Sequence, residues 1–373
     1  MNEITLFKAY TDSKMENVAS EVISSGLIAS GRYVKLFEDG LSNLLNVEHV
    51  VTTSDMTSAM HLALHLSGVT KGDEVITTAF ACMATNSPIA ALGAKAVWVD
   101  IEKDSVFMDP IKLELAITSN TKAVIMYHVA GYPGHVKTIS EICKKHKVKL
   151  IEDCDNAMLA KVNGDYVGGF ADFGVLSFYP NRQINSLEGG ALICKHRNDA
   201  EQARKLRRFG IDFNSFRTNE GEINPVSDIP EIGWSITLNN LCSAVGYTQL
   251  TTVKDRHRQT LKNTELMHEL LLNNKDIHSV CPIEGSQPAY WGYLVTVDNR
   301  DHVMSELKAA GIRVSSLHQR NDLYSCFDVK ELEKGSNTEK LQNSIIALPC
   351  GWWLSERNIK KIIAVLTRIT STD

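Results

Sequence analysis

Residues 151–194 read IEDCDNAMLAKVNGDYVGGFADFGVLSFYPNRQINSLEGGALIC, and their three apolar runs predict three short strands. The first run ends in Glu152 and Asp153, and the second ends in Ser177 after a glycine-rich turn. A polar loop and a pair of glycines lead into the third run. Because the strands of an α/β sheet present their ends to a common crevice, this stretch predicts both a fold class and a ligand site.

The same alternation of strands and helices extends on both sides of this stretch. Strands are predicted at residues 50–52, 74–77, 96–100, 123–127, 149–153, 175–178 and 191–194, and helices at 12–30, 33–45, 85–92 and 139–146. This order predicts an α/β fold with a mixed, mostly parallel sheet flanked by helices. Beyond residue 233, helices are predicted at 238–250 and 255–272, followed by shorter segments at 293–297, 303–310, 313–315 and 359–366. We therefore expect a large α/β domain at residues 1–250, which carries the site, and a small C-terminal α+β domain at 251–373.

Composition excludes several classes of protein. The 373 residues carry a net charge of −5 and no basic cluster, so we expect no nucleic-acid partner. None of the eight cysteines forms a CxxC pair, which argues against a zinc site or a disulfide framework. The first residues lack the pattern of a signal peptide, and no apolar run reaches the ~18 residues of a membrane helix. A cytoplasmic protein that does not bind a membrane is expected.

A second polar segment, at residues 54–57, follows a predicted strand and opens a helix that ends near Gly68. Unpaired backbone amides at such a helix start can bind an anion. The alternative is that Asp55 or Thr57 only caps the helix, and the sequence leaves both interpretations open. An anion site beside Ser177, facing Asp153, suits pyridoxal phosphate, because an acid keeps the pyridine nitrogen protonated. A metal is disfavoured because the nearest other carboxylate, Glu152, should point to the opposite face.

Several short motifs occur in a fixed order: GDEVI at 72–76, GAKAVWVD at 93–100, IED at 151–153, SFYPN at 177–181, EGG at 188–190 and LP at 348–349. Together they resemble the DegT/StrS family of sugar-nucleotide aminotransferases over nearly the whole chain. The resemblance implies the type I fold of pyridoxal-phosphate-dependent transferases, as in aspartate aminotransferase. It also implies a homodimer with interfacial active sites, glutamate as amino donor, and a role in amino-sugar biosynthesis such as that of lipopolysaccharide O-antigens.

The resemblance also implies roles for individual residues. Pyridoxal 5′-phosphate (PLP) or pyridoxamine 5′-phosphate (PMP) would be the cofactor, with Asp153 at the pyridine nitrogen and Asn156 near the ring. Its phosphate would be held by residues of two elements: Met56, Thr57 and Ser177. The aromatic residue that covers the ring in the family falls at Cys82, with Phe80 close by.

The family's Schiff-base lysine falls at Arg182. Arginine is permanently protonated and can neither form that covalent bond nor shuttle a proton in the same way. Three explanations follow: an engineered Lys→Arg change, a native branch that holds the cofactor without a covalent bond, or a protein that only binds a sugar nucleotide. The second resembles the sugar 3-dehydratases, in which a histidine replaces the lysine and PMP is used. Arg182 and Asp153 are the candidate catalytic residues.

A polar segment that follows a predicted strand at residues 313–315 provides candidates for substrate binding: His318, Arg320 and Asn321. The guanidinium of Arg320 could pair with a nucleotide diphosphate; the alternative is a loop held by salt bridges. We expect an enzyme that acts on a nucleotide-linked keto-deoxy sugar. The alternatives are a lysine-free, dehydratase-like enzyme and a catalytically silent sugar-nucleotide-binding protein.

Overall fold

A computed structural model describes residues 3–327 and 331–371. Its helices are α1 (Ser13–Ser25), α2 (Arg32–Leu45), α3 (Met56–Leu66), α4 (Met83–Ala91), α5 (Pro110–Ala116), α6 (Val136–His146), α7 (Arg197–Leu206), α8 (Asn240–Thr248), α9 (Val253–Leu271), α10 (Arg300–Ala309), α11 (Asn337–Ser344) and α12 (Glu356–Thr370). Its strands are β1 (His49–Thr53), β2 (Glu74–Thr77), β3 (Lys95–Trp98), β4 (Thr121–Tyr127), β5 (Lys149–Asp153), β6 (Lys161–Val162), β7 (Asp165–Tyr166), β8 (Phe173–Ser177), β9 (Gly190–Cys194), β10 (Ile277–Ser279), β11 (Ser286–Gln287), β12 (Tyr293–Val297) and β13 (Ile345–Leu348). Two 3-10 turns, Val129–Gly131 and Asn321–Leu323, complete the set.

Seven strands form the central sheet, in the order β1-β9-β8-β5-β4-β2-β3. Six of them run in one direction, and β9 runs antiparallel to both β1 and β8. The sheet buries β4, β5, β8 and β9 almost completely. This arrangement confirms the predicted mixed, mostly parallel sheet flanked by helices.

Local signals in the sequence explain several helix boundaries. The carboxylate of Asp12 accepts a hydrogen bond from the amide of Met15 (2.9 Å) and so begins α1. Gly26 ends that helix with a left-handed conformation (φ 73°), which glycine adopts without the steric cost of a Cβ atom. Asp55 caps α3 in the same way, because its carboxylate accepts from the amide of Ser58 (2.7 Å).

The strand register gathers the predicted site residues at one edge of the sheet. Thr53 and Ser177 both pair with Gly190, so the ends of β1 and β8 lie on either side of the start of β9. A Cβ atom at Gly190 would lie 2.5 Å from the carbonyl carbon of Asp55, so only glycine allows this close approach to α3. Asp153 pairs with the last residue of β4, Tyr127. The ends of β1, β4, β5 and β8 therefore share the crevice.

The C-terminal part has its own three-stranded antiparallel sheet, in the order β10-β12-β13. Its core also includes Ile4 from the start of the chain, which bridges to Ile312. The expected strand at residues 313–315 is absent from the described structure, where Ser315 makes only an isolated bridge to Ala347. Thus the N-terminal segment packs with the C-terminal unit, and the predicted boundary near residue 250 stays a prediction. Among the described residues, no helix is both long and apolar enough to cross a bilayer.

Candidate active site

Asp153 is the last residue of β5 and is fully buried. One carboxylate oxygen accepts from the Thr85 hydroxyl (2.6 Å), and the other accepts from the amide of Asp155 (3.0 Å). Burial and the neighbouring Asp155 carboxylate raise the pKa of Asp153 to about 7. A carboxyl group with this pKa can hold or share a proton near neutral pH.

Asp155 and Arg182 form a two-pronged ion pair next to Asp153. The Arg182 guanidinium donates from Nε to Oδ1 (2.9 Å) and from Nη2 to Oδ2 (2.6 Å). The side chains of Arg182 and Asp155 are only 11% and 6% exposed, respectively. Although burial opposes the charged form, Asp155 raises the pKa of Arg182 above its ordinary value. The two side chains thus neutralise each other in a largely dry environment.

Two other residues hold the guanidinium of Arg182 in place. Its central carbon lies 5.2 Å from the centre of the Trp291 ring, in a cation–π arrangement. Its Nη1 donates to the side-chain oxygen of Asn181, whose backbone carbonyl in turn accepts from the Trp291 indole (3.1 Å). Arg182 is therefore a fixed, charged part of the site.

Three more side chains lie near Asp155 and Arg182: those of Tyr127, Asn156 and His318. The Tyr127 hydroxyl accepts from Nδ2 of Asn156 (3.1 Å) and lies 3.2 Å from Nε2 of His318. Burial lowers the pKa of His318 to about 4, so its imidazole is neutral at physiological pH. Burial also raises the pKa of the Cys82 thiol, which lies within electrostatic range of Asp153 and Arg182. The structure thus brings four of the predicted site residues (Cys82, Asn156, Arg182 and His318) around Asp153.

The start of α3 is the predicted phosphate end of the site. Within residues 3–327 and 331–371, no group accepts a hydrogen bond from the amides of Met56 and Thr57, which leaves them available to an anion. The neighbouring Ser177 hydroxyl is near the sheet edge and accepts only a long bond from the Tyr179 amide (3.4 Å). The carboxylate of Asp55, however, lies at the same helix start and carries a negative charge. It would repel a phosphate.

Three of the predicted site residues already use their side chains in contacts with other described residues: Phe80, Arg320 and Asn321. The ring of Phe80 is 1% exposed and packs edge-on against His318, in the hydrophobic core. The guanidinium of Arg320 forms a two-pronged ion pair with Asp322 (3.0 and 2.5 Å), which supports the salt-bridged-loop alternative. Asn321 donates to the carbonyl of Ala81 (3.0 Å). These contacts correct the expectation of a free arginine for a diphosphate, because its fork is already filled.

Glu152 points away from Asp153, as strand alternation predicts. Its carboxylate accepts from three backbone amides in the turn at residues 168–171 and lies 3.2 Å from Nε2 of His128. The other imidazole nitrogen of His128 accepts from the amide of Gly134 (3.1 Å), so Nε2 carries the proton that faces Glu152. Cys154 is close to both groups. With these bonds the cluster joins β5 to the turn that precedes β8.

A cleft opens on the other side of Arg182. Its walls include the aromatic rings of Trp291 and Trp352 and the ammonium-bearing side chain of Lys8, whose Nζ lies 5.8 Å from the Trp352 ring. No carboxylate lines the cleft in the described part of the chain. The combination of aromatic and basic groups favours a ligand that has both a planar ring and negative charge.

Two buried polar atoms belong to residues that line this cleft. Neither Oε1 of Gln183 nor Nε2 of His257 has a hydrogen-bond partner among the described residues. Burial lowers the pKa of His257 to about 4, so its ring is neutral and can donate or accept. Buried groups without partners are costly, so these atoms are expected to bind a ligand or a water molecule.

Sequence reasoning missed Asp155, Thr85, Tyr127 and Trp291 as members of the site. A signal existed for Asp155, since it stands two residues after Asp153 in a loop that follows a strand. Thr85 and Trp291 are 68 and 138 positions from Asp153 and carry no motif. Only the folded chain brings them together.

Comparisons with known proteins agree with this fold. A model of the DegT/DnrJ/EryC1/StrS aminotransferase family matches residues 10–367. GDP-perosamine synthase from Vibrio cholerae is 30% identical over 251 residues, which are 67% of this chain and 66% of that protein, just under two thirds of its length. The sugar aminotransferase CalS13 from Micromonospora echinospora is 26% identical, with a TM-score of 0.92 over 98% of this chain and 99% of the other. This match confirms the predicted fold.

A more distant structure shares the fold. Spr1654 from Streptococcus pneumoniae is 21% identical. Its PMP form has a TM-score of 0.91 over 98% of this chain and 99% of that one. Its PLP form has a TM-score of 0.90 over 99% and 98%. Both predicted forms of the cofactor therefore occur with this fold.

Proposed function

Because the chain belongs to the DegT/DnrJ/EryC1/StrS aminotransferase family, we propose that it is a PLP- or PMP-type enzyme that holds its cofactor without a covalent bond. Its substrate is a nucleotide-linked keto-deoxy sugar. The observation that carries this proposal is that two groups lie close together: the buried acid Asp153, and Arg182, whose guanidinium is held by an ion pair with Asp155. The acid suits the cofactor ring, whereas the fixed arginine excludes covalent attachment at position 182.

Apart from Asp55, the side chains present fit such a cofactor. The Asp153 carboxyl can share a proton with a ring nitrogen, and the amides of Met56 and Thr57 with the Ser177 hydroxyl can hold a phosphate. When bound, the cofactor supplies an electron sink for chemistry next to the sugar carbonyl. Arg182 cannot carry the proton in that chemistry. Besides Asp153, the imidazole of His318, which is neutral at physiological pH, is a group in the site that can accept one.

The cleft beside Arg182 has a free volume of about 50 Å³ and therefore offers contacts for only a part of a nucleotide-linked substrate. Lys8 offers a positive charge to a diphosphate, and the ring of Trp352 offers a face on which a base can stack. The unpaired atoms of Gln183 and His257 can meet polar groups of the ligand. We place the nucleotide here rather than at Arg320, because the guanidinium of Arg320 is already paired with Asp322.

Three further parts of the proposal concern the oligomeric state, the amino donor and the end product. A homodimer is supported by apolar side chains in the loop at residues 209–232, where Val226 is 86% and Ile232 is 84% exposed. Glutamate as amino donor and an O-antigen amino sugar as end product rest on the family resemblance alone.

The second candidate function is a catalytically silent protein that binds sugar nucleotides. The observation that favours it is Asp55, whose negative charge at the start of α3 disfavours a phosphate there. In this case the cleft beside Arg182 would still bind a nucleotide, whereas PLP would bind weakly or not at all. Cofactor affinity therefore separates the two candidates.

The test measures binding of PLP and PMP to the purified protein by equilibrium dialysis. We expect saturable binding that Asp153→Asn weakens about tenfold, since a charge-assisted hydrogen bond contributes roughly 1.5–3 kcal/mol. Asp165→Asn, at an exposed carboxylate of β7, is the matched control. Borohydride treatment should attach no cofactor to the peptide that contains Arg182.

Mass spectrometry of a nucleotide-linked keto-deoxy sugar incubated with the protein and PMP then reports amination or dehydration. If neither PLP nor PMP binds, the enzymatic proposal is wrong.

A further inference from the structure

We propose that Asp155 is a positioning residue that fixes a cation at position 182, so that Arg182→Lys alone does not give efficient covalent capture of PLP. The inference rests on the proposed function, because it requires that PLP enters the site. It makes Asp155, in addition to Arg182, a determinant of non-covalent cofactor binding. The Asp155 carboxylate, which no family motif indicated, would have to be neutralised together with the arginine.

The contacts of Asp155 support this role. Its side chain is 6% exposed, and both of its oxygens accept from the guanidinium of Arg182. Among the residues that the structure describes, no other side chain donates a hydrogen bond to this carboxylate. A buried carboxylate without a counter-charge is strongly disfavoured, so the residue at position 182 is the one that must supply the positive charge.

A lysine at position 182 would therefore be held as an ammonium group. Covalent capture requires a neutral amine. The lone pair of the lysine Nζ attacks the aldehyde carbon of PLP, a carbon–nitrogen double bond forms, and the aldehyde oxygen leaves as water with the two amine hydrogens. A carboxylate within about 4 Å typically raises the pKa of a lysine by 1–3 units and so reduces the neutral fraction about 10- to 1,000-fold.

Removing the charge of Asp155 reverses this balance. Burial alone disfavours an ammonium group, so a lysine at position 182 would lose its proton more readily beside the uncharged amide that Asp155→Asn introduces. The cation–π contact with Trp291 remains in either case and is weaker than the ion pair. The neighbouring Asp153 keeps its hydrogen bond from Thr85 and its place at the cofactor ring.

The experiment compares three variants of the full chain: Arg182→Lys, Arg182→Lys with Asp155→Asn, and Arg182→Lys with Asp165→Asn. Each is incubated with PLP and reduced with borohydride after set times, and mass spectrometry measures labelling of the peptide that contains residue 182. We expect labelling at least about tenfold faster with Asp155→Asn than with Arg182→Lys alone. The control with Asp165→Asn should match the single variant, because Asp165 is exposed in β7.

A fourth variant, Arg182→Lys with Asp155→Glu, keeps the negative charge and should label as slowly as Arg182→Lys. Circular dichroism and equilibrium dialysis with PLP show which variants are folded and bind the cofactor. Equal labelling rates with Asp155→Asn and Asp155→Glu, in variants that bind PLP equally, would overturn the role of Asp155 and leave the proposed function intact. Absence of both PLP and PMP binding in the parent and in every folded variant would overturn the proposed function instead.

Discussion

At the scale of single residues, Arg182 and Asp155 depend on each other because both charges are largely removed from water. Removing one partner of a buried ion pair leaves the other charge uncompensated, which typically costs about 3 kcal/mol or more. We expect Asp155→Asn to lower the free energy of unfolding by about that amount. Urea unfolding monitored by circular dichroism measures the difference.

The double variant with Asp155→Asn and Arg182→Gln provides the control for this prediction. It removes both charges, so it should be more stable than Asp155→Asn alone. If Asp155→Asn is as stable as the parent, the ion pair does not contribute to the free energy of unfolding. The conclusion that Asp155 holds Arg182 in place would then be wrong.

A second residue-scale prediction concerns Asp55 at the start of α3. Asp55→Asn keeps a side-chain oxygen that can accept from the Ser58 amide but removes the negative charge beside the proposed phosphate site. We expect PLP affinity to increase about tenfold, because repulsion between two anions at contact distance is worth a few kcal/mol before screening. Equilibrium dialysis measures the change. Asp12→Asn, which alters the similar cap of α1, should leave the affinity unchanged. Unchanged affinity in Asp55→Asn would place the phosphate elsewhere.

At the scale of elements, Asp100 joins the large sheet to the C-terminal part of the chain. It lies two residues after β3, and its carboxylate accepts from the backbone amides of Asn337 (3.1 Å) and Thr338 (2.9 Å) at the start of α11. It also accepts from the ammonium of Lys112 (2.8 Å). Although burial opposes ionisation, the hydrogen bonds from Lys112 and Thr338 lower the pKa of Asp100 to about 2. The ionised carboxylate therefore stabilises the contact between the two parts.

This contact gives a pH-dependent prediction. Because the pKa of Asp100 is lower in the folded state than its ordinary value near 4, the carboxylate stabilises the fold above pH 4, and the stabilisation is lost as the pH falls towards 2. Asp100→Asn should cost about 2 kcal/mol at pH 7, and its difference from the parent should shrink between pH 4 and pH 2. Urea unfolding across this range tests it. Asp104→Asn, at an exposed side chain, should have no such effect. A pH-independent difference would contradict the role of the charge.

The elements also show how far sequence reasoning reaches. The apolar pattern predicted β2 and β5 at their observed bounds, because a buried parallel strand leaves a continuous apolar run in the sequence. The prediction of a strand at 313–315 was wrong, because a short extended segment becomes a strand only where a neighbouring strand pairs with it along its length. The position of Arg182 followed from motif order. Its ion pair with Asp155 and its contact with Trp291 did not, since both depend on side-chain packing.

Arg320 illustrates the limit in the opposite direction. An arginine in a polar segment can bind a phosphate or a nearby carboxylate, and the sequence contains both possibilities. Asp322, two positions later, fills the guanidinium fork, and the pair is buried. Composition alone does not reveal which acceptor an arginine meets, because this depends on how the loop folds over the sheet.

At the scale of the whole molecule, the loop at residues 209–232 exposes several large apolar side chains. Val226 and Ile232 are almost fully exposed, and both lie in this loop. Apolar groups clustered on a surface commonly mark a protein interface, and a family homodimer would place its active sites beside such a loop. We expect the parent protein to sediment as a dimer and the variant with Val226→Asp and Ile232→Asp to shift towards monomer. Leu115→Asp changes a similarly exposed apolar side chain on α5 and should leave the dimer intact. A parent that sediments as a monomer at micromolar concentration, or a dimer that both aspartates leave unchanged, would show that this loop is not the interface.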